Sequence, residues 1–190
     1  MTGEKMPLRD RLILAGINEI EKNGIQGLSM RRVAKDCEVS CAAPYKHFAD
    51  KHEFIFAIIQ YINGRWYARQ KEVLERCTTS TRKQLVEISM EYIRFLLENP
   101  HFRSIIMLRD EGMEPEHARL KAGLSECTKN LVHKYCKEVG MPEDVERRKT
   151  YVVRSLIYGA ALMLDNGELE RSKENFDFIS ATIEREFDLP

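Results

Sequence analysis

Apolar residues recur at helical spacing along almost the whole chain, and this repeat constrains the fold more than any other feature. The first segment, for example, places five small or apolar residues on one stripe: Leu12, Ile13, Gly16, Ile17 and Ile20. No alternation of apolar and polar residues is long enough to predict a strand. Glycine and proline, 10 and 6 of 190 residues, leave few turns for a sheet of many strands. The sequence therefore predicts an all-α fold of about nine helices.

Proline, serine and aspartate mark most of the predicted helix starts. Ser29 and Ser40 are candidate caps of two short helices, the second covering 41–48. Pro44 falls four residues after Ser40, where it removes only the first intrahelical bond, so a helix is still predicted there. Asp50 is predicted to cap a long helix, and 115–139 is predicted as one continuous helix.

Charge and cysteine content exclude several classes of protein. Lys and Arg together number 30, as do Asp and Glu, so a uniformly basic nucleic-acid coat is excluded. Residues 1–51 hold nine basic and seven acidic residues, a local charge of +2. The five cysteines form no CxxC pair and the histidines no HxxxH pair, so neither a disulfide framework nor a metal site is expected.

No apolar run is long enough for a membrane span or a signal peptide, so we expect no membrane partner and a cytoplasmic protein. There is also no glycine-rich phosphate loop and no nucleophile elbow. The sequence therefore predicts no enzyme activity and no cofactor.

The most informative pattern is a pair of short predicted helices joined by a turn of three or four residues between Ser29 and Phe48. This is the arrangement of a DNA-binding helix-turn-helix. Helix N-termini offer free N–H groups and a positive dipole end, which suit a phosphate.

The first 55 or so residues resemble the N-terminal domain of the tetracycline-repressor (TetR) family. The residues that carry the resemblance are Leu12, Ile13, Ala15, Gly16, Ile17, Gly24, Ser29, Met30, Arg31, Arg32, Val33, Ala34, Val39, Ser40, Tyr45, Lys46, His47, Phe48 and Lys51. The resemblance implies a transcriptional regulator, most often a repressor that a small-molecule effector releases from its double-stranded DNA operator. It also implies a helix-turn-helix domain over 1–50 and a helical ligand-binding and dimerisation domain over 51–190.

The resemblance also implies which residues meet DNA. Arg31 matches a position that reaches a base edge or a phosphate, and Tyr45, His47 and Lys51 match phosphate-contacting positions. The full predicted set is Ser29, Arg31, Arg32, Ser40, Cys41, Ala42, Ala43, Tyr45, Lys46, His47 and Lys51.

Four residues depart from the family pattern. Glu38 stands where a turn glycine is usual, so that turn must accommodate a Cβ and a positive φ. Ala42 replaces a second glycine, Pro44 an aliphatic residue, and Glu19 an apolar residue. These departures leave open an alternative: an all-α interaction protein of the same architecture that no longer binds DNA.

Two further sets are predicted in the C-terminal region. Methionine and aromatic side chains suit an adaptable apolar ligand cavity, although each is also a common core residue; the candidates are Trp66, Met90, Tyr92, Phe95, Phe102, Met107, Tyr151 and Tyr158. In the family the last two helices of two subunits usually form a four-helix bundle. The candidates for that homodimer interface are Leu156, Gly159, Ala160, Met163, Phe176, Ile179, Ile183 and Phe187.

Overall fold

The computed structural model describes residues 6–106 and 115–188, and these residues contain nine α-helices and two short 3-10 helices, with no strand. The helices are α1 (Leu8–Gly27), α2 (Met30–Asp36), α3 (Lys51–Arg76), α4 (Thr81–Glu98), α5 (Pro100–Ile106), α6 (Pro115–Ala122), α7 (Glu126–Val139), α8 (Glu143–Asp165) and α9 (Lys173–Glu186). The all-α prediction is confirmed. None of these helices is both long and apolar enough to cross a membrane.

Side-chain caps begin several of these helices. The Ser29 hydroxyl accepts a hydrogen bond from the Arg32 backbone N–H at 3.4 Å, and Ser172 does the same for Asn175 at 3.3 Å. Gly140 ends α7 in the left-handed conformation, with φ 70° and ψ 31°. The local rules of helix capping therefore account for where these elements begin and end.

The predicted helix over 41–48 is shorter than expected. The structure has a turn at Cys41 and Ala42 and then a 3-10 helix at Pro44–Lys46, with Ala43 at its N-cap position and no side-chain cap. Pro44 has no N–H, so the Ser40 carbonyl accepts instead from the Ala43 N–H at 2.9 Å, in the tighter 3-10 pattern. Pro44 therefore shortens this helix more than the sequence predicted.

The single helix predicted over 115–139 is also wrong. A 3-10 turn at Gly123–Ser125 separates α6 from α7. Glycine lowers helix propensity by about 1 kcal/mol relative to alanine, which favours a break at this position.

The described residues form two compact units. The first lies within Met1–Gly64 and Pro100–Ala122. Its core holds buried apolar residues of α1 and α3, and α2 and α5 pack on α1. Gly16 allows α1 to approach α3 closely, because a Cβ there would lie 2.5 Å from the Phe54 ring.

The second unit lies within Arg65–Asn99 and Gly123–Pro190, with α4 packed against α7, α8 and α9. Its core includes Leu85, Ile93, Leu96, Val153 and Ile157. The domain boundary after residue 50 remains a prediction, since α3 contributes residues to both compact units.

Candidate nucleic-acid interface

An ion pair between a buried carboxylate and an exposed arginine fixes α2 against α1. Glu19 is only 4% exposed, and its Oε1 accepts from the Arg32 Nε at 2.5 Å. The same guanidinium also donates to the Gly27 carbonyl, at 2.5 Å. A buried carboxylate is costly without such a partner. Arg32, one of the predicted DNA contacts, is therefore held by α1, and Glu19 is the residue that sequence reasoning left without a role.

The turn after α2 is built on a left-handed residue. Glu38 has φ 57°, as its position in place of a glycine predicted. The Glu38 N–H donates to the Lys35 carbonyl at 3.0 Å and the Val39 N–H to the Ala34 carbonyl at 3.0 Å, so the backbone closes the helix by itself. The Arg11 guanidinium donates to the Cys37 carbonyl at 2.7 Å and ties this turn to α1.

The segment after this turn is exposed and ends at a buried aromatic residue, Phe48, which is called the anchor here. Phe48 is 1% exposed and its ring lies 4.7 Å from that of Phe54, with the Arg9 guanidinium 5.4 Å from the Phe48 ring centre. Pro44 is buried as well. The anchor leaves a row of exposed side chains before it: Ser40, Cys41, Ala42, Tyr45, Lys46 and His47, with Ala43 half-buried.

The cations of this surface differ in what holds them. Lys51 is half-buried and its Nζ donates to the Gln26 carbonyl at 2.9 Å. Arg31 and Lys46 are exposed, and within the described part of the chain neither forms a side-chain hydrogen bond or ion pair. Ser29 is half-buried and caps α2. Arg31 and Lys46 are thus the predicted contacts whose charges face solvent.

Four of the predicted ligand residues form one aromatic cluster (Trp66, Tyr92, Phe95 and Tyr158) in the second unit. The Trp66 ring centre lies 4.7 Å from that of Tyr92 and 5.3 Å from that of Phe95, and Tyr92 lies 6.2 Å from Tyr158. The Trp66 Nε1–H donates to the Leu124 carbonyl at 3.0 Å. Burial, together with the neighbouring Tyr158, raises the pKa of the Tyr92 phenol, which therefore stays neutral.

The other predicted ligand residues are scattered. Met90 is buried in the second unit, whereas Phe102 belongs to the first unit, where its ring lies 6.1 Å from that of Tyr61. Tyr151 is 72% exposed, and Met107 lies outside the described residues. The structure therefore gathers only part of the predicted set.

Two features had no recognised signal in the sequence. Gln70 is 95% buried on the same face of α3 as Trp66, and its Nε2 has no hydrogen-bond partner among the described residues. In the first unit an open groove of about 600 Å³ is lined by Asp50, His52, Pro115, Glu116, His117 and Arg119. The His52 and His117 rings stack there at 6.2 Å, but the described residues contain no group of three metal-ligating side chains.

The predicted dimer residues divide into two groups. Ile179, Ile183 and Phe187 are buried within their own chain. Leu156, Gly159, Ala160 and Phe176 are half-buried, and Met163 is 41% exposed. Leu162 on α8 and Phe178 on α9, which the sequence analysis did not select, are 52% and 65% exposed.

Comparison with known proteins agrees with this geometry. Residues 12–58 match the family model described as bacterial regulatory proteins, tetR family. These residues are similar to the N-terminal domain of that family. The match covers most of α1, all of α2, the exposed segment and the start of α3, so the similarity lies in the elements that form the candidate interface.

Curated relatives extend the comparison. The HTH-type transcriptional regulator UidR of Escherichia coli (strain K12) is 35% identical over 75 residues, which are 40% of this chain and 38% of UidR. The chain thus aligns with about two fifths of that relative. An uncharacterised HTH-type regulator of Bacillus subtilis (strain 168), YerO, is 24% identical over 183 residues, covering 92% of this chain and 61% of YerO.

The fold of the whole chain has solved counterparts. A TetR family transcription regulator from Marinobacter aquaeolei VT8 superposes with a TM-score of 0.76 at 17% identity and covers 94% of each chain. At that identity the similarity shows a shared fold.

Proposed function

We propose that this protein is a DNA-binding transcriptional regulator. The supporting observations are Arg31, exposed on α2, and the exposed segment after α2, where Tyr45, Lys46 and His47 face solvent beside a buried anchor. Arginine and lysine bind phosphates through charge, and tyrosine and neutral histidine each donate one hydrogen bond, so this surface fits a DNA backbone. The family match over the same residues supports the proposal.

Gel-shift titration tests DNA binding. Duplexes selected from a random pool supply the operator, and the double variant Arg31→Ala/Tyr45→Phe should bind it about a hundredfold more weakly while its helical circular dichroism is unchanged. The loss reflects one charge-assisted and one neutral hydrogen bond. Arg147→Ala, which removes an exposed arginine from α8 in the second unit, is the matched control and should bind normally.

A protein that no longer binds DNA is the second candidate. Two observations favour it: Glu38 in a left-handed conformation, and the apolar side chains of Cys41 and Ala42 where polar contacts to bases are common. A random pool from which no sequence is enriched would favour this candidate and contradict the regulator.

The regulator is proposed to act as a homodimer through α8 and α9. Exposed Leu162, Met163 and Phe178 supply apolar area, and Gly159 and Ala160 permit close approach of helices. A two-fold axis would present two DNA-binding segments to neighbouring turns of one duplex. Ala160→Glu should shift the mass in light scattering from dimer to monomer, and a dimer that persists would argue against this interface.

An effector is proposed to control the regulator. The aromatic cluster and the unpartnered Gln70 amide are the candidate ligand-binding groups of the second unit. Repression would end when the ligand favours a conformer with lower operator affinity, because a ligand shifts an equilibrium only through its different affinities for two states. The proposed route is α3, which begins at Lys51 beside the DNA-binding segment and carries Trp66.

A further inference from the structure

The turn formed by Cys41, Ala42 and Ala43, here the 41–43 turn, has an unusual chemistry for a DNA-reading element. Cys41 and Ala42 are exposed and Ala43 is half-buried, so the turn offers solvent one thiol and two methyl groups. None of these side chains is a strong hydrogen-bond donor or acceptor. A base edge that meets this turn therefore encounters an almost wholly apolar surface.

The backbone holds this apolar surface in place. The Ala43 N–H donates to the Ser40 carbonyl at 2.9 Å, and the His47 N–H donates to the Pro44 carbonyl at 2.9 Å. Pro44 is buried and fixes its own φ, so the turn is anchored at its C-terminal end. The turn is therefore a built surface with few conformations to lose on binding.

Two of the four neighbouring cations are held by other protein groups. The Arg32 guanidinium is bound by Glu19 and Gly27, and the Lys51 ammonium by the Gln26 carbonyl. Arg31 and Lys46 remain exposed, but contacts from such side chains to phosphates carry no sequence information. Direct discrimination between bases thus falls to the 41–43 turn together with Arg31, whose matched position reaches a base edge or a phosphate.

The major groove presents one apolar group on its base edges, the C5-methyl of thymine. We propose that the 41–43 turn recognises the C5-methyl group of a pyrimidine, with Ala42 as the specificity-determining residue. This inference rests on the proposed DNA-binding function. Thymine and 5-methylcytosine share this methyl group, and the experiment separates them.

The experiment begins with an operator selected from a random pool of 30-base-pair duplexes. Its affinity is then measured by fluorescence anisotropy after each thymine in turn is replaced by deoxyuridine, which removes only the methyl group. At least one position in each half-site should lose about fourfold in affinity, the value expected for one buried methyl. In a second arm, cytosines replace the sensitive thymines in methylated and unmethylated form. A gain on methylation shows that the methyl is recognised on either pyrimidine; a loss of affinity that methylation leaves unchanged shows that the methyl is recognised only as part of thymine.

Variants connect the effect to the turn. Ala42→Gly removes the protein methyl and should reduce the deoxyuridine effect at the sensitive position to less than twofold. Ala42→Ser adds only a hydroxyl to the side chain and should also weaken the preference for the methylated base. Ala49→Gly, at an exposed alanine beyond the anchor, is the matched control and should retain the full effect.

The outcomes separate this inference from the function beneath it. Methyl-dependent affinity that disappears in Ala42→Gly but not in Ala49→Gly supports the inference. A selected operator that binds equally well with deoxyuridine at every position overturns the inference and leaves DNA binding intact. A pool without any enriched sequence overturns the proposed function, and the inference with it.

Discussion

The turn after α2 and the end of α9 both stop a helix, but they use different groups to do so. After α2 the backbone closes on itself around Glu38, with Arg11 as a supporting side chain. The end of α9 is instead held by a clamp of three side chains, Arg82, Tyr135 and Lys149, each from a different helix. Their donors reach the last carbonyls of α9 at 3.4, 2.9 and 2.6 Å.

The difference follows from what each region leaves exposed. Tyr135 and Lys149 of the α9 clamp are buried, with Lys149 only 1% exposed, so their polar atoms need protein partners; the buried Arg82 Nε has none among the described residues. The turn after α2 leads to exposed side chains whose polar groups remain available to a ligand. We therefore expect lesions in the clamp to lower stability and lesions in the exposed segment to lower DNA affinity.

The largest expected effect is that of Lys149→Ala. The substitution leaves a cavity and an α9 carbonyl without its donor, so the free energy of unfolding should fall by about 3 kcal/mol. Urea unfolding followed by circular dichroism measures the change. Lys137→Ala, at an exposed position of α7, is the control and should change the value by less than about 0.5 kcal/mol. If Lys149→Ala left stability unchanged but weakened DNA binding, the division between the two regions would be wrong.

Tyr92→Phe extends the comparison to the aromatic cluster. Burial raises the pKa of Tyr92 above its ordinary value of 10.0 in the folded state, so the unfolded chain ionises first. The stabilisation is fully present below pH 10 and is lost as the pH rises toward the folded pKa. At pH 7 the free energy of unfolding of Tyr92→Phe should be about 1 kcal/mol lower than that of the wild type, because the hydrogen bond with Tyr158 is lost. Above pH 10 it should decline less steeply than in the wild type.

Urea unfolding at pH 7 and at several values above pH 10 measures both effects. Tyr67→Phe, at a site that is 68% exposed, is the control and should change the value at pH 7 by less than about 0.5 kcal/mol. An alkaline decline as steep in Tyr92→Phe as in the wild type would contradict the role given to burial of this phenol.

The smallest expected effect is a gain in stability from Glu38→Gly. The left-handed region costs a residue with a Cβ about 1–2 kcal/mol, and glycine removes this cost. Part of the gain is lost because glycine has more conformational freedom in the unfolded chain. The free energy of unfolding should rise by about 0.5–1 kcal/mol in a thermal or urea titration. Glu38→Ala keeps the Cβ and should give no gain; an equal gain in both variants would show that φ is not the cause.

Sequence patterns predicted the helices well because helical periodicity and capping are local. They predicted the segment after α2 less well. Whether Pro44 ends a helix depends on which other N–H reaches the carbonyl that proline leaves without a donor, and here the chain forms a 3-10 helix instead. The positive φ of Glu38 was predicted, since a family position that usually holds glycine implies that conformation.

Contacts between distant residues could not be predicted from one sequence. Glu19 and Arg32 are 13 residues apart, and their pairing depends on how α1 and α2 cross. The apolar stripe of α9 predicted burial of Ile179 and Ile183 on some partner, but periodicity does not distinguish a neighbouring helix of the same chain from a second subunit. The structure shows that Ile179 and Ile183 are covered within their own chain, whereas Phe178 is exposed on α9, which periodicity did not indicate.

The salt dependence of operator binding tests most directly whether Arg31 and the exposed segment after α2 dock on phosphates. Affinity of the wild-type protein should fall linearly with the logarithm of the salt concentration and by orders of magnitude between low and moderate salt. Arg31→Ala should bind more weakly and reduce the magnitude of the slope by about one, the loss of a single phosphate contact. A flat response in the wild-type protein, or an identical slope in Arg31→Ala, would contradict the account.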